Sequence, residues 1–131
     1  MSTGVTRIDA NPPEGSFVYE DDIDKELLIS GTPNHHGLTM MESDDGRAAC
    51  GVWGCGVYKE RTPAFPRDEL FVVLEGRLVI TVDGREAETF SAGDAFAIRA
   101  GTPCVFDFQA PFKKFWMTYD PPPPGGHRAS R

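Results

Sequence analysis

Glu69 is the residue whose setting most demands a chemical explanation. It stands in Arg67-Asp68-Glu69-Leu70-Phe71, and strand alternation puts Glu69, Phe71 and Val73 on one face. A carboxylate on an apolar face must find hydrogen bonds, a cation or a proton. A carboxyl group tuned in this way is a candidate general acid or base. The plainer reading is a structural salt bridge to Arg67, Arg77 or Arg99. Asp68, on the opposite face, is expected outside in an ion pair. Tyr58 adds a hydroxyl that can donate to a ligand or act as an acid. Trp53, Phe71, Phe106 and Trp116 are apolar candidates for the walls of a ligand pocket, which typically holds few polar groups.

The sulfur and imidazole groups point away from metal chemistry. Cys50 and Cys55 on one strand face opposite sides and stand roughly 17 Å apart at about 3.4 Å per residue, so they are expected to be packing residues. Three cysteines cannot form a complete disulfide framework, and reduced thiols are the simpler expectation. The neighbours His35 and His36 point to opposite faces of an extended chain and are expected to be solvated loop residues. His127 falls in the C-terminal tail.

The elements that must position these residues have a period of two. Leu78, Ile80 and Val82 alternate with Arg77, Val79 and Thr81 before the hairpin signal Asp83-Gly84. Return strands follow over Arg85–Phe90 and Ala95–Arg99, separated by Ser91-Ala92-Gly93-Asp94. Cys104, Phe106 and Phe108 alternate again, and Lys114–Tyr119 closes the folded part. Upstream, Ala48–Lys59 reads as one long strand whose Gly51, Gly54 and Gly56 mark a bulge or a close backbone approach. Turn signals at this spacing, with no long helical stripe, predict an all-β sandwich or barrel. Glu20–Leu28 offers at most one helical turn.

The predicted organisation is an arm with an edge strand over 1–35, a barrel over 36–119, and a disordered Pro/Gly-rich tail over 120–131. At 131 residues the chain holds one core. With 13 basic and 20 acidic residues the formal charge is −7, which repels a phosphate backbone and argues against nucleic-acid binding. No apolar run is long enough to span a membrane, and the N-terminus lacks the apolar stretch of a secretion signal. The expected setting is cytoplasmic.

From Glu69 to Asp107 the sequence resembles the cupin superfamily of small double-stranded β-helix (jelly-roll) barrels. Glu69, six residues and Gly76 reproduce the second half of that family's first motif. Gly93-Asp94, Arg99-Ala100-Gly101, Cys104 and Asp107 follow the spacing of its second. Trp53, Asp68-Glu69, Leu74-Glu75-Gly76 and Lys114-Phe115-Trp116 are similar to features of small cupins of the ureidoglycine aminohydrolase branch. The resemblance implies a Glu69 facing the barrel interior and a Cys104 at an inward ligand position.

The resemblance also implies a metal site, and the sequence departs from it. Metal-dependent cupins use three His and one Glu. Here the paired His positions fall on Thr62 and Ala64, or on Pro63 and Phe65, and the third on Cys104. The expectation is therefore no metal and no cofactor.

Two functions fit these residues. One is a metal-independent enzyme acting on a small polar, ureide-like metabolite, with Glu69 as acid or base and Tyr58 or Cys104 as the second group. The other is a non-catalytic binding or regulatory cupin. Pairing of cupins through their N-terminal strands implies a homodimer.

Overall fold

The computed structural model describes residues 4–19 and 23–122, and its regular elements are all β-strands. In chain order they are β1 (Val18–Tyr19), β2 (Leu28–Gly31), β3 (His36–Glu42), β4 (Ala48–Cys55), β5 (Tyr58–Thr62) and β6 (Asp68–Glu75). β7 (Arg77–Val82), β8 (Glu88–Ser91), β9 (Ala95–Ile98), β10 (Cys104–Phe108) and β11 (Phe112–Tyr119) complete the chain. Six strands form one sheet in the order β1-β3-β4-β11-β6-β9, and five form the other in the order β2-β5-β10-β7-β8. All pairings are antiparallel, as the jelly-roll expectation requires.

The turns are set by glycines where the sequence signals them. Gly84 closes the β7–β8 hairpin at φ +77°, and Gly93 and Gly101 take positive φ in the next two turns. Gly76 does the same between β6 and β7, where an added Cβ would lie 2.4 Å from the Pro111 carbonyl oxygen.

The segment expected as one long strand, Ala48–Lys59, is instead two strands in different sheets. β4 ends at Cys55, and the chain turns a corner through Gly56 and Val57 into β5. The corner is held by Gly56 N–H donating to the Pro33 carbonyl at 2.7 Å and Thr32 N–H donating to the Val57 carbonyl at 3.1 Å. A side chain on Gly56 would come within 2.7 Å of the Thr32 oxygen, so this glycine marks a corner rather than a bulge. Gly51 is a close approach: its Cβ would meet the Trp116 ring at 2.9 Å and the Leu38 carbonyl oxygen at 2.0 Å. The register irregularity lies in the neighbouring β3, between Thr39 and Met41.

Of the Glu20–Leu28 segment, residues 20–22 lie outside the described residues, as does most of the predicted tail, 123–131, with His127. Asp24 to Leu28 is a single turn closed by Leu27 and Leu28 N–H on the Asp24 carbonyl, and it leads directly into β2. The arm before β1 is tied to the first sheet by Asp9 N–H on Met40 Sδ and by Lys113 Nζ on Asn11 Oδ1.

The core between the sheets is aromatic. Tyr58 stacks on Phe108 at 5.0 Å, Phe108 on Phe106, Phe106 on Phe71, and Phe71 on Phe96 at 4.4 Å, with Phe90 beyond. Val73, Leu78, Ile80 and Cys104 fill the remaining space. Fully burying each such apolar side chain stabilises the fold by roughly 1.5–3 kcal/mol. One region of the interior is left unfilled, and there the cavity opens.

Candidate functional site in the barrel interior

A cavity of about 660 Å³ lies between the sheets, and both contribute to its walls. Trp53 of β4, Glu69 and Phe71 of β6, and Lys114, Trp116 and Thr118 of β11 line it from the first sheet. Tyr58, Glu60 and Thr62 of β5, with Phe106 and Phe108 of β10, line it from the second. Alternation explains this set, because residues two apart on one strand share a face.

Glu69 faces the cavity, and its partner is Lys114 rather than Arg67, Arg77 or Arg99. Lys114 Nζ donates to Glu69 Oε2 in a short ion pair whose side chains are 8% and 10% exposed. The ammonium also lies 3.4 Å from the centroid of the Phe71 ring and 4.8 Å from that of Trp53. Cation–π attraction of this kind is worth more when the cation is desolvated. The backbone partners of Glu69 are Thr118 and Ile98, so the contact with Lys114 is not a direct cross-strand pair. The long lysine stem reaches along β11 to make it. Arg67 instead points toward Asp120 in a half-exposed contact at 3.6 Å. Asp68 accepts from the Ala100 N–H at 2.8 Å, which fixes the turn after β9, and among the described residues no ion pair accompanies it.

The second polar group is a chain of hydrogen bonds. Tyr58 Oη donates to Glu60 Oε1 at 2.5 Å and lies 2.7 Å from His35 Nε2. A phenol has one proton, and a carboxylate only accepts, so His35 Nε2–H donates to the phenol oxygen. Thr62 Oγ1 donates to the other oxygen of Glu60 at 3.3 Å. His35 is buried against Trp53 and Tyr58, with ring centroids 5.2 and 5.1 Å away, and is not the solvated loop residue its neighbours in sequence suggested. His36, on the other side, bonds the Asn34 carbonyl and meets Phe17 edge-on.

Trp53, Phe71, Phe106 and Trp116 stand on the cavity wall with Glu69 and Tyr58. Cys104 does not. It is 1% exposed within the core, and burial, followed by the nearby Glu60 and Asp83 charges, pushes its thiol up to about 11. Burial likewise raises Cys55 far above the ordinary thiol range. All three thiols are free and buried. Protonated thiols are poor nucleophiles and poor ligands.

The metal that the cupin fold implies does not fit these residues. The side chains at the ligand positions are Thr62 with Ala64 or Pro63 with Phe65, then Glu69 and Cys104. An ammonium already stands against the Glu69 carboxylate, and Cys104 keeps its proton. Among the described residues no three His, Cys, Asp or Glu side chains come together in a way that holds an ion.

Lys114, His35 and Glu60 are the site residues that sequence reasoning missed. Alternation along β11 offered a signal for the first: Phe112, Lys114, Trp116 and Thr118 share a face, and a lysine in an inward set requires an anion.

The fold recurs in solved structures. A protein of unknown function of the DUF861 family from Pseudomonas syringae pv. tomato superposes with a TM-score of 0.76 at 22% identity, over 85% of this chain and 46% of that one. EutQ of Clostridium difficile gives 0.57 at 22% identity, over 66% of this chain and 63% of that one. A putative ethanolamine utilization protein Q from Salmonella typhimurium LT2 gives 0.57 at 19% identity, over 90% and 98%. The chain thus spans less than half of the Pseudomonas protein and under two thirds of the Clostridium one, and at these identities the likeness is one of fold. No curated protein matches the sequence. The EutQ-like cupin domain family matches residues 42–116, more than half of the chain, and the protein belongs to that family.

Proposed function

We propose that the barrel binds a small polar metabolite and moves a proton on it without a metal. The observation that carries this reading is that two carboxylates, Glu69 and Glu60, reach one aromatic-walled cavity, each in hydrogen-bond contact with a proton carrier. Glu69 is the acid or base, and Lys114 holds its charge. Tyr58, relayed to His35 and Glu60, is the second group. Trp53, Phe71, Phe106 and Trp116 provide the stacking walls. Cys104 has no part in this reading, since it is protonated and away from the wall. Likeness to the ureidoglycine aminohydrolase branch favours nitrogenous ligands, whose N–H groups suit carboxylate acceptors.

A second reading is favoured by the same ion pair: polar groups already satisfied by one another can hold a ligand and leave it unchanged. A thermal-shift screen of polar metabolites, followed by NMR of each stabilising compound, separates the two. Conversion that is lost in Tyr58→Phe supports the enzyme, and a stabilising compound recovered intact supports the binder. A screen in which nothing stabilises the protein overturns both.

We also infer a cytoplasmic homodimer. β1 and β2 each stand at one edge of their sheet, and Val18, Tyr19 and Ile29 are exposed there, which leaves edges for a partner to cover. Light scattering at micromolar concentration tests it, and a monomer would refute it.

A further inference from the structure

We infer that Lys114 is a nucleophilic amine that forms an imine with a small carbonyl compound, an aldehyde or a 2-oxo acid, bound in the cavity. The inference rests on the small-metabolite reading above and narrows it to compounds with a reactive carbonyl carbon. Three observations converge on this lysine. Its ammonium is removed from water, with a side chain 8% exposed. It borders the open cavity rather than closed core. Its hydrogen-bond partner is a carboxylate able to take a proton from it and return one.

A buried ion pair of this kind is a poor stabilising device, since desolvation of two charges consumes most of the attraction between them. Lysines desolvated in apolar pockets are the ones that act as amine nucleophiles. Lys113, its neighbour in sequence, points the other way to Glu75 at 3.0 Å and Asn11 at 2.9 Å and supplies an internal control.

The step balances with the residues present. The Lys114 ammonium passes a proton to Glu69, leaving a neutral amine and a carboxylic acid. The nitrogen lone pair bonds to the carbonyl carbon, the C=O π pair moves to oxygen, and a proton shifts from nitrogen to that oxygen to give the carbinolamine. Glu69 then protonates the hydroxyl, which leaves as water while the nitrogen lone pair forms the C=N bond. The product is a protonated imine beside the Glu69 carboxylate, so the site again holds one cation and one anion. No oxidant or reductant takes part.

The test is borohydride trapping on the whole protein with glyoxylate, pyruvate and glycolaldehyde in turn, read by intact mass and peptide mapping. The expected result is a single reduced adduct on Lys114 with at least one of them, forming about tenfold or more faster than on Lys25, Lys59 or Lys113. Lys114→Arg should lose that adduct, and Glu69→Gln should slow it. Mapping on the wild-type chain decides the matter even if a variant fails to fold. Adducts spread evenly over the four lysines overturn the inference. So does thermal stabilisation by a carbonyl compound without any adduct, which leaves the small-metabolite reading standing. Neither adduct nor stabilisation by these compounds or by the metabolite screen overturns both.

Discussion

Glu69 on the first sheet and Glu60 on the second line the same cavity, yet one is met by an ammonium and the other by two hydroxyls. In the first arrangement each partner is tolerated only beside the other, because either one left alone is a desolvated charge. The second distributes its acceptor demand over Tyr58 and Thr62, and Tyr58 passes the connection on to His35. The two walls therefore differ in what they can give to a ligand. The lysine wall offers a fixed pair of opposite charges and an amine. The tyrosine wall offers a hydroxyl and a carboxylate linked to an imidazole in a chain of hydrogen bonds.

The sharpest way to break this comparison is to remove half of the ion pair. Glu69→Gln or Lys114→Met should each lower the unfolding free energy by about 3–5 kcal/mol in urea titrations, because each leaves one buried charge. The double variant should recover most of that loss. Single variants as stable as the wild type would mean that the pair is solvated. On the opposite wall, Tyr58→Phe removes the shared hydroxyl and leaves Glu60 Oε1 and His35 Nε2 each short of a partner. The expected cost is about 1–3 kcal/mol, smaller because no net charge is stranded. Equal losses on both walls would erase the distinction drawn here.

Cys104, at the start of β10 in the second sheet, gives a pH-dependent check. Its folded-state thiol sits at about 11 against an ordinary value of 9.0, so the folded chain holds the proton more tightly than the unfolded chain. Its contribution to stability is complete below pH 9.0 and is lost as pH rises through about 11. Unfolding free energy measured across that window should fall, and Cys104→Ala should flatten the slope. A slope unchanged by that variant would assign the loss to other groups. The smallest effect belongs to Asp120→Asn, which breaks the half-exposed contact with Arg67 and should change stability by no more than about 1 kcal/mol. A loss as large as that of Lys114→Met would show that ion pairs at the rim and in the interior are not so different.

Much of the architecture was legible in the chain, for a local reason. Alternation of apolar residues along Leu78–Val82 and Cys104–Phe108, and the glycine turns at Gly84, Gly93 and Gly101, act between near neighbours. The split at Gly56 was harder to read: no proline or Asn-Gly or Asp-Gly pair interrupts Ala48–Lys59, and the corner is set by contacts with Thr32 and Pro33 from another part of the fold.

The site divides along the same line. Alternation put Glu69 and Phe71 on one face, the cupin resemblance made that face the interior, and residue type made Trp53 and Trp116 wall candidates and Tyr58 a candidate acid. Which cation meets Glu69, and that His35 is buried at all, were decided only in three dimensions. Lys114 reaches Glu69 along a strand pairing that sets other residues opposite it. His35 lies in the turn from β2 to β3, and its burial is created by Trp53 and Tyr58 from two different strands. Alternation fixes the face a side chain takes, whereas long flexible stems and loop positions find their partners only after the sheets have closed.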